Sequence, residues 1–245
     1  MTASRLFGTL VFAGVLAACG GGGGGGGAAT GPAATYAFAT PKVNSELVFT
    51  QTIVDNFNST INQSVRDRTV AVNPDGSFVV LRDDPADNSI TLNGTSYAVH
   101  PQFITANGSG QTLSVSDAPA TPAPVTCIVA PHGPGPDFPV FVGQTWVLQY
   151  AAKCGTGPVV GYGATGSVSG IETVVVPAGT FSALKFQSTI SWTDPNGTTR
   201  VETITSWHDT ATGVLAKRVT NSSYSGTPLA NGFPLTTTLV LQSQS

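Results

Sequence analysis

Along most of this chain, apolar and polar residues alternate instead of recurring at helical spacing. Between Thr180 and Trp192, Leu184, Phe186, Ile190 and Trp192 fall on one side and Lys185, Gln187, Thr189 and Ser191 on the other. That period of two predicts a strand with one buried face in an antiparallel sheet. Short runs rich in Val, Ile, Thr, Phe and Tyr predict further strands over 46–55, 61–72, 77–82, 89–92, 95–99 and 111–115 in the first half. In the second half they predict strands over 145–150, 171–176, 199–207, 214–221 and 235–241. Between the runs stand turn signals. Asn73-Pro74-Asp75-Gly76 and Asp194-Pro195-Asn196-Gly197 each combine a proline that presets φ with a glycine that accepts positive φ. Asn93-Gly94 is a two-residue hairpin signal, and Asn107-Gly108 repeats the theme. The expected fold is mainly β, a curved antiparallel sheet or sheets of half-barrel-like form, with little helix beyond the N-terminus.

The N-terminus follows a different pattern. Arg5 precedes an apolar run from Leu6 to Ala18, too short for a bilayer core that needs about 20 apolar residues. It closes on Leu16-Ala17-Ala18-Cys19, and Gly20 to Gly27 is unbroken glycine. These residues resemble the lipobox and tether of bacterial lipoproteins. The resemblance implies a signal peptide over 1–18, a lipidated Cys19 with palmitate-type acyl chains, and a flexible glycine-rich tether over 19–35. It also implies a place in the cell envelope, in the outer membrane because no aspartate follows Cys19. The rest of the chain divides by composition. A β-rich region over 36–118 leads to a connector over 119–139 that holds seven of the 17 prolines, and an antiparallel β domain covers 140–245. Prolines lack a backbone donor, so the connector is expected to stay out of a central sheet.

Charge narrows the partners. Only 9% of residues are charged, and without Arg5 nine basic residues face 13 acidic ones, net −4. With no basic cluster, nucleic acid is not an expected partner. The expected partners are the membrane, through the lipid anchor, and an envelope protein, glycan or lipid. Beyond Cys19 there are two cysteines, Cys127 and Cys154. An oxidising compartment makes a disulfide their default, worth about 3.5 kcal/mol in the chain-entropy model. The alternative is a pair of free or metal-binding thiols, but no histidine or further cysteine lies at ligand spacing.

The second half carries one more likeness. Val176-Pro177-Ala178-Gly179-Thr180-Phe181, followed by Ala183-Leu184-Lys185, resembles a hairpin motif of bacterial envelope domains of unknown function. Gly143-Gln144-Thr145-Trp146 upstream, and Trp207 with Gly213-Val214 downstream, match the same layout. The motif is structural. Fold-level analogy links it to curved half-barrels that cup lipid or acyl chains.

Candidate chemistry is sparse. His100, His132 and His208 form no metal-spaced group, and the sequence assigns no catalytic residue, metal or cofactor. His132 reads as a connector residue, and His208-Asp209 as a solvated strand end that is also the best candidate for a distant catalytic group. Gly161-Tyr162-Gly163-Ala164-Thr165-Gly166 spells a dinucleotide pattern without the helix that pattern needs, and reads as a loop. Asp83-Asp84-Pro85-Ala86-Asp87 reads as a solvated turn, with calcium binding as the alternative. Trp146, Trp192 and Trp207 are candidates for ligand-facing aromatics, though core packing would also explain them. Three functions compete: a non-catalytic binding or structural lipoprotein, a carrier of an apolar ligand or acyl chain, and a secreted-type hydrolase. An open apolar cavity would favour the second. A histidine within reach of a serine and a carboxylate would favour the third.

Overall fold

The computed structural model describes residues 34–83, 89–92, 95–98, 101–117, 124–226 and 234–245. The lipobox, the tether as far as residue 33, His100, Asn93-Gly94 and Asp84 to Asp87 lie outside them, while Thr35, the last residue of the expected tether, is in a strand. In chain order the strands are β1 (Thr35–Tyr36), β2 (Glu46–Asp55), β3 (Thr60–Val72), β4 (Phe78–Asp83), β5 (Ser89–Leu92), β6 (Thr95–Ala98), β7 (Gln102–Ala106) and β8 (Thr112–Asp117). They continue as β9 (Thr126–Ala130), β10 (Val140–Phe141), β11 (Thr145–Cys154), β12 (Val159–Val176), β13 (Gly179–Thr193), β14 (Thr199–Asp209), β15 (Leu215–Ser225) and β16 (Pro234–Gln244). No helix occurs among the described residues.

Twelve of these strands form one closed antiparallel barrel in the order β11-β12-β13-β14-β15-β16-β2-β3-β4-β7-β8-β9, with β9 returning to β11. Closure replaces the expected half-barrel and leaves no open sheet edge. Both halves of the chain build the one wall, and β16 joins them by pairing with β2. The expectation for the connector changes too. Thr126–Ala130 is free of proline, and as β9 it is the strand that completes the barrel. Cys127 lies opposite Cys154 on this closing pair, and the two are joined by a disulfide.

Alternation sorts residues to the two faces. On β13, Leu184, Phe186, Ser188, Ile190 and Trp192 face inward, while Lys185, Gln187, Thr189 and Ser191 face out. The outward positions of β14 are Val201, Thr203, Thr205 and Trp207. Polar residues thus dominate the outer face of this wall, the reverse of the apolar band that a membrane-spanning barrel presents to lipid. β12 runs unbroken through the glycine-rich stretch that reads as a loop in the sequence. Its glycines belong to a strand because Trp146 of β11 lies against Gly166, where a Cβ would collide with the indole.

One end of the barrel is filled. The tip of the β12–β13 hairpin extends past the end of β14, whose last partner on β13 is Ala183. Val174, Val176 and Phe181 of the tip share one buried cluster with Leu47, Phe49, Leu239 and Leu241, and Trp207 and Val240 pack against it. The Ala178 N–H donates to the Leu241 carbonyl. At the same end the N-terminal segment and residues 131–141 enter the barrel, held together by the β1–β10 pair. Phe38 stacks on Phe78 and touches Phe138, which in turn meets Phe186. The Gln111 carboxamide, 3% exposed, donates to the carbonyls of Gly135 and Pro136 and to the Asp137 carboxylate. The Gly133 N–H bonds the Thr112 carbonyl. This proline-rich segment therefore works as a plug, with its prolines outside the ladders that they would interrupt.

Candidate functional site

Between the plug and the wall formed by β9 and β11–β15 lies a cavity of about 200 Å³. Its floor is aromatic: Phe38 and Phe138 from the plug, with Trp146 and Phe186 from the wall. The wall above is laid down in rows by strand register, and each row lies two residues nearer the far end than the last. Trp146, Gly166, Ser188, Ile204 and Thr220 make one row. Leu148, Ala164, Ile190, Glu202 and Ser222 make the next, and Tyr150, Tyr162, Trp192, Arg200 and Tyr224 the outermost.

The outermost row is a continuous stack. Tyr150 and Tyr162 are parallel with centroids 4.8 Å apart, and Tyr162 meets Trp192 at 5.3 Å. The Arg200 guanidinium lies 5.9 Å from the Trp192 ring and 5.2 Å from that of Tyr224, in reach of cation–π attraction to both. Asp194, in the β13–β14 turn, fixes two members at once. It accepts from Trp192 Nε1 at 3.0 Å and from Arg200 Nε at 2.6 Å. All five side chains are partly exposed, so this row is the rim through which the interior meets solvent.

Charge reaches deep into the barrel but is compensated. Arg82 forms a fork on Asp67, with Nε and one terminal nitrogen 2.7 and 2.6 Å from the two carboxylate oxygens. Burial pushes Arg218 down to about 10, and Arg82 adds to that shift while Glu202 and Asp67 oppose it. Arg218 therefore stays charged at neutral pH. Burial raises Glu202 above the usual carboxylate range, opposed by Arg218 and Arg200. Burial is also the first cause of the upward shifts of Tyr150, Tyr162 and Tyr224, which keeps these phenols neutral.

His208 is not a solvated strand end. β14 continues through it, and its ring lines the cavity edge-on to Phe186. Nδ1 lies 3.3 Å from the Gly213 carbonyl and Nε2 3.2 Å from Ser206 Oγ. A carbonyl only accepts, so Nδ1 carries the proton and Nε2 accepts from the serine. Burial pushes the imidazole down to about 4. Asp209 takes no part: it faces away and accepts from the Thr212 N–H and hydroxyl inside the turn. A serine and a neutral histidine thus meet in the cavity, while the acid that would complete a triad caps a turn. His132 bonds the adjacent Gly133 carbonyl and does not line the cavity. Asp83 forks with Arg66 on the outer face, at 2.8 and 2.7 Å. Among the described residues no group of three or more His, Cys, Asp or Glu is placed to hold a metal.

The three tryptophans part company. Trp146 and Trp192 line the cavity. Trp207, at an odd position of β14, lies away from the cavity and packs against the buried cluster that holds Val174 and Phe181. There its Nε1 donates to Glu172, and Lys185 and Lys217 approach its ring at 5.7 and 5.4 Å. Sequence reasoning missed Phe38, Phe138, Tyr150, Tyr162, Arg200, Glu202, Arg218 and Tyr224. Parity with Trp146 was available for Tyr150. For the other wall residues only the closed register supplies the signal, and Phe38 and Phe138 come from the plug, outside the strands.

No family model and no curated protein matches the sequence. Among solved structures the chain is similar to a protein from Bacteroides fragilis named as exported, with a YmcC-like fold (12% identity, 85% of this chain and 99% of that one, TM-score 0.48). It is similar to the hypothetical lipoprotein YmcC from Escherichia coli (14% identity, 80% and 87%, TM-score 0.40). A third likeness is to a protein from Parabacteroides distasonis named as a lipoprotein (13% identity, 83% and 96%, TM-score 0.42).

Proposed function

We propose that this protein is a non-catalytic ligand-binding barrel, held in the bacterial envelope by a lipid on Cys19 and facing away from the cytoplasm. The apolar part of its ligand enters the barrel past the aromatic rim and rests on the Phe38, Phe138 and Phe186 floor. One observation carries this reading: the core is not packed shut. Leaving about 200 Å³ unfilled forgoes roughly 5 kcal/mol at about 24 cal/mol per Å³. An enlarged side chain at Ser188, which lines the cavity, would recover part of that. A purely structural module has no reason to keep the space, which favours the carrier among the three readings. The hydrolase loses support because Asp209 faces away from His208. The anchor on Cys19, and the outer membrane as its site, rest on the lipobox residues and on Gly20 in place of aspartate.

Filling the cavity tests the reading. With N-phenylnaphthylamine as probe, the full-length protein in detergent should give a saturable rise in emission. Ser188→Phe should lower the affinity at least tenfold and leave the far-ultraviolet circular dichroism unchanged. Equal binding by a folded Ser188→Phe variant would mean that the probe sits elsewhere and that the interior is not the site.

A further inference from the structure

We infer that the filled end of the barrel is a membrane-contact face, with Phe141, Val142, Ile171 and Val175 resting in the headgroup layer of the bilayer that holds the anchor. The inference rests on the reading of Cys19 as lipidated and names the surface that meets the lipid. Its basis is where exposed apolar side chains stand. On the solvent side of the wall, β13 and β14 show Gln187, Thr189, Thr203 and Thr205. At the filled end the outward side chains are apolar instead. Phe141, Val142 and Ile171 are all exposed, and Val175 is 74% exposed. Val43 and Val72 are exposed at the same end, where the chain before β2 runs along the end of β3.

Local structure holds these side chains outward. Val140 is fully buried, so the alternation of β10 turns Phe141 away from the core. The turn that follows is closed twice: the Gln144 N–H donates to the Phe141 carbonyl, and the Gln144 carboxamide oxygen accepts from the Phe141 N–H. On β12, Val174 and Val176 enter the buried cluster, which leaves Thr173 and Val175 on the open face of the hairpin tip.

What covers this face follows from the chain that leads to it. Thr35 pairs with Phe141 in the β1–β10 ladder, so the segment from Cys19 enters the fold beside the patch. Fifteen residues separate Cys19 from Thr35, and a glycine-rich coil of that length spans about 20 Å on average. Lipid tethered so near acts at a high effective concentration. Apolar contacts too weak to recruit a membrane alone therefore suffice to keep this face on it. The surface near the rim differs. Ile128 and Val159 are exposed there, but both pair with Lys153, and this exposed cation stands between them. They also lie at the end away from the tether.

Spin labels test which surface meets lipid. A nitroxide is attached to the introduced thiol of Val142→Cys, Val175→Cys or Val159→Cys in the full-length protein extracted from its envelope. All three positions are exposed, and Cys127 and Cys154 are held in their disulfide. Each labelled protein is inserted into palmitoyl-oleoyl phosphatidylcholine vesicles and recovered by flotation. Its label is then read for collisions with oxygen, which concentrates in lipid, and with a nickel chelate, which stays in water. The oxygen-to-nickel ratio should be several-fold higher at Val142 and Val175 than at Val159. Adding Phe141→Asp should bring the ratio at Val175 down to that at Val159. If Val142→Cys or Phe141→Asp fails to fold, the contrast between Val175 and Val159 decides alone. Low ratios at all three positions, in protein that floats with the vesicles, would overturn the inference and leave the anchor on Cys19 standing. A ratio highest at Val159 would mean that the barrel lies on another face, and would overturn it as well. Protein that stays out of the floating fraction would overturn both readings.

Discussion

His208 shows how a single residue records the nature of the barrel interior. An imidazole that donates to a carbonyl, accepts from a hydroxyl and packs on Phe186 is stable there only when neutral. Its folded value, about 4, lies below the reference 6.5, so between these pH values the unfolded chain binds a proton that the folded chain refuses. Stability should therefore fall as pH drops from 6.5 to 4, by up to about 3 kcal/mol. Glu202 works the other way, because a raised carboxylate favours the folded state at low pH. The difference between variants isolates the histidine. Urea midpoints for His208→Gln should lose the downward slope over that range, and an unchanged slope would show that the imidazole titrates normally. The sequence hid this residue because the expected strand stops at Trp207 and His208 runs straight into Asp209-Thr210-Ala211-Thr212-Gly213, which reads as a turn. In the structure, β14 runs two residues further, to Asp209, and turns there.

Strand β12 makes the corresponding case for elements. Its glycines weaken the apolar alternation that marks a strand, and only 171–176 is legible in the sequence. What makes the rest a strand lies on its neighbours: Trp146 occupies the space that a side chain at Gly166 would need, and Gln149 lies against Gly163. Gly166→Ala should accordingly cost about 1–3 kcal/mol, the range for overpacking a filled site. Gly161→Ala, with nothing within 4 Å of its added methyl, should be neutral or slightly stabilising. Equal denaturant midpoints for the two variants would contradict the packing account. The same contrast separates legible elements from illegible ones. β13 shows its faces in its own sequence because one side is buried and the other wet. The alternation of β9 is confined to five residues flanked by prolines, and only its partners, β8 and β11, identify it as a wall strand.

At the scale of the molecule, closure turns scattered residues into a site. Tyr150, Tyr162, Trp192, Arg200 and Tyr224 lie up to 74 positions apart in the chain, yet register places them side by side on five adjacent strands. No local motif records that, which explains why the fold class was legible and the cavity was not. The plug adds direction. The described chain begins at β1, within the filled end, while the aromatic rim stands at the opposite end. With the proposed lipid on Cys19, the 15 residues between Cys19 and Thr35 would join the anchor to the plugged end and leave the rim toward the aqueous side. The most direct test of a ligand-holding barrel is native mass spectrometry of the full-length protein extracted from its own envelope in mild detergent. The account predicts a bound small molecule that leaves on denaturation and is missing from Ser188→Phe. A wild-type protein whose mass equals that of the acylated chain alone, and which does not take up N-phenylnaphthylamine, would contradict it.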